Sequence, residues 1–232
     1  MKKTFYSELA YIFGIIFLAI GTAFMQRADL GLSMIVAPAY LLHLKISKYM
    51  PFFSFGMAEY VFQAFLIILL VIILRKFKIS YLFSFVTAVL YGLLLDGAIF
   101  LINFLPTSTL AFKILYFTIG FVICTASISL LFHTYISPEA YELIVKEISA
   151  KHSFDVHKVK IFYDLISLIV SVILSFAFFG LWNFKGISWG TLVTALLNGP
   201  LISLFSKFFE RFFIFSDKLP LRKYFQTVKE EQ

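Results

Sequence analysis

Glu59, Gln63, Asp96, Asp164 and Asn198 fall inside long hydrophobic runs, where a charged or amide side chain is expensive. Such groups face a bundle interior or a water-filled cavity and pair with one another. Glu59 and Gln63 are four residues apart, one helical turn on the same face. Asp164 has Lys160 one turn earlier as a ready partner, and Asp96 adjoins Gly97. Asn198 precedes Gly199-Pro200, a pair expected to open or kink a helix and free its carbonyls. Together these residues suit a polar path for a proton, a cation or a small solute. Either Glu59 or Asp164 could carry a coupling proton, because a carboxylate away from water exchanges protons near neutral pH. For each residue singly, a structural hydrogen bond between helices is the alternative role.

A second candidate region is QRADLGLSMIVAPAYLLHLKIS, residues 26 to 47. Arg27 and Asp29 are followed by Gly31, a helix breaker, and by Ser33, which can cap a new helix. The next dozen residues are too apolar for a free loop and too few to cross a bilayer, so they read as a re-entrant or interfacial helix. Its free N–H groups would favour an anion at its start. Arg27, Asp29, Gly31 and Ser33 therefore join the candidate substrate-binding residues. The alternative is that Arg27 and Asp29 merely pair at the membrane surface.

The elements that must position these groups follow from hydropathy. Of 232 residues, 61% are hydrophobic and 14% charged, and the mean hydropathy is +0.93. A chain of that composition needs lipid as its solvent. Apolar runs near 7–26, 54–74, 80–104, 110–132, 160–181 and 187–209 are each long enough to span. The opening run, after Lys2 and Lys3, reads as a retained first helix rather than a cleaved signal. Fifteen of the twenty Lys and Arg fall on one side of this arrangement, at the start, after the second and fourth runs, and after the sixth. Basic loops stay in the cytoplasm, so both termini are expected there, with 210–232 as a cytoplasmic tail. The same rule accounts for the net charge of +7 without nucleic acid. The single cysteine, Cys124, permits no internal disulfide.

The chain also repeats itself. VTAVLYGLL at 86–94 returns as VTALLNGPL at 193–201, Glu59 aligns with Asp164, and Ser33 aligns with Ser137, at spacings of 104 to 107. Two three-span units, 7–104 and 110–209, would be related by inverted topology, as in many transporters. The stretch 135–149, YISPEAYELIVKEIS, carries Ser137 as an N-cap and Pro138 at the first position. Its charges, Glu139, Glu142, Lys146 and Glu147, make it an amphipathic helix expected on the cytoplasmic surface, its polar face solvated. His133 is expected at the membrane interface, and His152 and His157 in a basic loop.

Two phrases, ADLGLS at 28–33 and KGISWGTLVTALLNGPLI at 185–202, resemble those of the bacterial YczE/YitT-type integral membrane proteins. The second carries Gly186, Gly190, Thr191, Ala195, Gly199 and Pro200 at the family's positions. The resemblance implies a bacterial inner-membrane protein of about this span count and assigns no catalytic residue. This chain departs from the family by having TYISPEA where the second half usually carries a glycine-containing counterpart of ADLG.

The resulting expectation is an all-α polytopic membrane protein of six transmembrane helices in an inverted 3+3 repeat, forming a single membrane domain. It would be a permease for a small polar or anionic solute, with proton coupling as one available mode. A substrate-binding membrane subunit of an energy-coupling-factor-type transporter, and a scaffold or assembly factor for a protein partner, are the competing roles. A homo-oligomer fits any of them. No zinc spacing, Ser-His-Asp set or phosphate loop is present, so neither an enzyme, a cofactor nor a metal is expected.

Overall fold

The computed structural model describes residues 2–154, 156–181 and 183–220, with the side chains of Val156 and His157 outside that set. Arg222, Lys223 and Lys229 of the expected tail, and the His157 side chain, lie outside the described residues. Six helices are long and apolar enough to span: α1 (Ser7–Ala28), α3 (Phe55–Leu74), α4 (Ile79–Ile102), α5 (Leu110–Phe132), α7 (Val156–Phe179) and α8 (Trp189–Phe212). Two shorter helices, α2 (Ala37–Ile46) and α6 (Ala140–His152), occupy the two inter-span stretches. The chain is thus a multi-pass membrane protein whose large exposed apolar side chains, such as Ile72, Phe100 and Leu196, face lipid. A two-stranded parallel ribbon, β1 (Lys3–Tyr6) with β2 (Phe213–Ser216), ties the start of α1 to the end of α8, an addition to the all-α expectation. Glu8 strengthens that clasp by accepting from the Lys218 and Leu219 amides and the Tyr135 hydroxyl.

Lipid removes the hydrophobic drive for helix association, so close packing of small residues does the work. α1 and α5 form the central pair. A Cβ at Gly21 would lie 2.6 Å from the Cys124 sulfur, and one at Gly120 would lie 2.6 Å from the Gly21 carbonyl oxygen. α4 packs on α1, α3 on α4, and α8 on α5. α2 and α6 bridge the remaining helices, each touching both α3 and α7, while α7 and α8 do not pack closely on each other.

Both short helices are re-entrant in their contacts. The loop before α6 turns inward, its Ser137 carbonyl accepting from Thr87, and α6 then runs back. Its first amide, Ala140 N–H, meets Gln63 halfway along α3, while Lys151 near its end reaches the Ile73 carbonyl at the end of α3. Glu139 and Ala140 are buried. This corrects the expectation of a surface helix with a solvated polar face, since only the second half, with Lys146, Ala150 and Lys151, is exposed. The N-cap is Glu139, not Ser137, because Pro138 stays outside the helix. α2 follows the same plan. Ser33 starts its first turn through its backbone carbonyl, which accepts from Val36 and Ala37, and not through a side-chain cap as expected. Ile35, just before α2, packs in one apolar cluster with Tyr141 and Leu66, so the two half-helices begin near one another.

α8 starts firmly. Ser188 and Thr191 form a capping box, and the Leu30 carbonyl accepts from Gly190 N–H while Leu32 N–H donates to the Gly186 carbonyl. Gly31, at φ 103°, permits this threading, which brings its Cα against the Thr191 hydroxyl. The helix continues through Pro200 without the expected break.

Candidate functional site

The nine sequence-derived residues separate into distinct places. Arg27 and Asp29 do not pair with each other. Arg27 donates to the Leu105 carbonyl, and Asp29 faces Lys113 at 3.8 Å. They line a cleft with Tyr40, Asn103 and Thr107 at one end of the bundle. Asp96 is a helix cap: it accepts from Gly56 N–H at 2.8 Å and from the Ser54 hydroxyl, fixing the start of α3 against α4. Asp164 pairs with Lys160 at 3.1 Å, as their spacing suggests. Gly31 serves the junction with the start of α8.

Glu59 and Gln63 do meet, and the residues that complete their site come from α6. The Gln63 amide nitrogen donates to Glu59 at 3.4 Å and to Glu139 at 3.2 Å, while its carbonyl oxygen accepts from Ala140 N–H at 3.1 Å. The Tyr141 hydroxyl donates to Glu59 at 2.7 Å. Glu59 and Gln63 are 0% exposed and Glu139 is 5% exposed. One oxygen of each carboxyl, Oε1, has no hydrogen-bond partner. Two carboxyls thus share one amide, with no cation bonded to either among the described residues. Buried charge is either paired or neutralised, so this pair holds protons or a bound cation.

Burial pushes the Glu139 carboxyl well above its ordinary 4.5, and the charges of Glu142 and Glu59 push it further against the lowering effect of Gln63. Glu142, half-buried, is also raised by burial, with Lys160 opposing. A carboxyl raised on folding stabilises the fold at low pH, and that contribution fades as pH climbs from the unfolded value through the folded one. Thermal unfolding of the purified protein should therefore occur at lower temperature as pH rises above about 4.5, and Glu139→Gln should flatten that dependence. A Glu139→Gln profile parallel to wild type would place the titration elsewhere.

Beside the pair lies a cavity of about 50 Å³. Glu139, Tyr141 and Tyr91 line it together with Thr22 of α1, Cys124 of α5, Thr194 and Asn198 of α8, and the Ser33 turn. Tyr91 donates to Thr22, whose hydroxyl meets the Cys124 sulfur, a polar thread along an otherwise apolar wall. Of the sequence candidates, Ser33 and Asn198 line this cavity, and Glu59 and Gln63 stand behind its Glu139. Glu139, Tyr141 and Tyr91 are not among the sequence candidates.

A signal for α6 is nonetheless present in the sequence. Ala39, Tyr40, Leu42 and Lys45 of α2 recur with the same spacing as Ala140, Tyr141, Leu143 and Lys146 of α6.

No curated protein and no solved structure matches the chain. The model of a family described as "Family of unknown function (DUF6198)" matches residues 5–207. Its match covers the first five spans, most of α8, both half-helices and every residue of the candidate site, and the chain belongs to that family.

Proposed function

We propose that the chain is a permease for a small polar solute, coupled to protons through the Glu59–Gln63–Glu139 group. One observation carries the reading: two half-helices start near each other at a buried pair of carboxyls that adjoins a small cavity lined by four spanning helices, α6 and the Ser33 turn. Non-helical backbone at membrane depth is tolerated where it lines a cavity, and transporters place their solute and ion sites there. The reading includes the inverted repeat expected from the sequence, and the helix contacts are consistent with it. Pairing α1 with α5, α2 with α6, α3 with α7 and α4 with α8 carries most helix contacts onto one another: α1–α4 onto α5–α8, α2–α3 onto α6–α7, and α2–α7 onto α6–α3. The basic residues favour cytoplasmic termini in a bacterial inner membrane, in keeping with the YczE/YitT-type resemblance.

The test is proton flux. Proteoliposomes loaded with a pH-sensitive dye are exposed in turn to a panel of polar metabolites under an inward proton gradient. A solute that evokes proton movement with the wild type is expected to evoke none with Glu59→Gln at equal reconstituted protein. Unchanged flux in that variant would remove Glu59 from the coupling. A scaffold would give no solute-evoked flux with any panel member.

A further inference from the structure

We infer that the cavity takes a small organic cation, its ammonium group paired with the Glu139 carboxylate and its apolar body against the α1 and α5 wall. The inference names the solute class, and it rests on the permease reading only for the movement of that solute once bound. Of the described residues lining the cavity, none is Lys, Arg or His, and two, Glu139 and Glu142, are carboxylic acids. Most of the rest is apolar, as at Met25, Leu32 and Phe121. Tyr91 and Tyr141 add aromatic faces, which attract a desolvated cation. The free Oε1 of Glu139 is buried, belongs to a lining residue and lacks a donor. Glu59 behind it is in the same condition, and Lys160, which lies 3.1 Å from Asp164 and also acts on Glu142, does not line the cavity. A cation supplies the charge that this wall lacks, whereas an anion would meet two acids. The volume, about 50 Å³, selects a cation no larger than a short alkylammonium.

Cation and proton then compete for one carboxylate. Glu59 and Gln63 from α3, Tyr91 from α4, Tyr11 from α1, Cys124 from α5 and Glu142 on α6 surround Glu139. Lys160, Tyr163 and Asp164 of α7 act on it through Glu142. Because burial raises the Glu139 carboxyl, cation binding releases a proton wherever that carboxyl is protonated, and affinity falls about tenfold for each pH unit below its folded value.

The full chain, purified in detergent, is titrated calorimetrically with ethylammonium, ethanol and ethanesulfonate at about pH 9 and about pH 6. The cation is expected to bind, more tightly at the higher pH and with proton release, and the neutral and anionic compounds not to. Glu139→Gln should lose more than about tenfold in affinity at the higher pH. Asn198→Trp, which fills the cavity from the loosely packed α8, should lose binding without touching the carboxyl pair and serves if Glu139→Gln does not fold. Wild-type affinity in either folded variant, preference for ethanesulfonate, or failure of ethylammonium to bind overturns the inference. Cation binding without solute-evoked flux would retain the inference and remove transport. Flux driven only by neutral or anionic solutes would do the reverse.

Discussion

Gln63→Leu is expected to cost the fold roughly 3–5 kcal/mol, read as a lower unfolding midpoint in detergent. The amide is the one side chain that touches both buried carboxyls and the first free N–H of α6. Leucine matches its bulk, so packing is nearly kept and the loss is polar. Three hydrogen bonds disappear, each worth about 1 kcal/mol net, and Ala140 N–H is left buried and unmet at a further 1–3 kcal/mol or so. Glu59 keeps its bond from Tyr141, and both carboxyls can shed charge by taking protons, which caps the penalty. A local readout separates this from general damage: hydrogen exchange at Ala140 should accelerate far more than at Ala98 in α4. Gln63→Glu keeps an acceptor for Ala140 and should cost less, with a loss that grows as pH rises because a third carboxyl joins the group. An unfolding midpoint unchanged in Gln63→Leu would mean that α6 is held by its apolar face alone.

The spans were legible because lipid demands about 20 apolar residues and the chain supplies six such runs. The structure's spans begin and end within a few residues of those read from hydropathy, and the Glu59–Gln63 and Lys160–Asp164 pairs follow from helical spacing alone. What the sequence obscured was depth. Glu139, Glu142, Lys146 and Glu147 give α6 the charge content of a surface helix, yet charge content does not distinguish a helix lying on a bilayer from one standing half inside it. Its first turn is buried because Gln63 meets the free amide and Glu139 meets Gln63, a bond set spanning 76 or more positions that no local pattern encodes. Arg27 and Ser33, near in sequence, separate in space: the Arg27 side chain donates to the Leu105 carbonyl and lines the end cleft with Lys113, while Ser33 lines the cavity beside Glu139. Asp96 was legible as costly but not as a cap, since the amide it serves lies 40 positions away.

Gly56→Leu should be as damaging as Gln63→Leu, and Gly199→Leu should be nearly silent, although the matching phrases VTAVLYGLL and VTALLNGPL align Gly199 with Gly92, the partner of Gly56. A Cβ at Gly56 would overlap the Gly92 carbonyl group and lie 2.7 Å from the Asp96 carboxyl carbon. The obstacle is backbone, which cannot rotate away, so α3 and α4 must separate. Overpacking of this kind costs about 1–3 kcal/mol, and separation also strips the Ser54 and Gly56 bonds from Asp96, a capping loss of about 1–2 kcal/mol more. At Gly199 an added Cβ meets nothing within 4 Å, because α7 and α8 do not close on each other as α3 and α4 do. Leucine there only adds apolar surface towards lipid and should shift stability by less than about 0.5 kcal/mol. The two halves thus use one glycine position differently: in the first it locks a helix pair, and in the second it faces open space beside the cavity wall that Asn198 lines. Unfolding midpoints of Gly56→Leu and Gly199→Leu, measured side by side in detergent and in lipid nanodiscs, decide the matter. Equal losses would mean that α7 and α8 do close on Gly199 in the folded protein, and that the second half adopts the packed arrangement of the first.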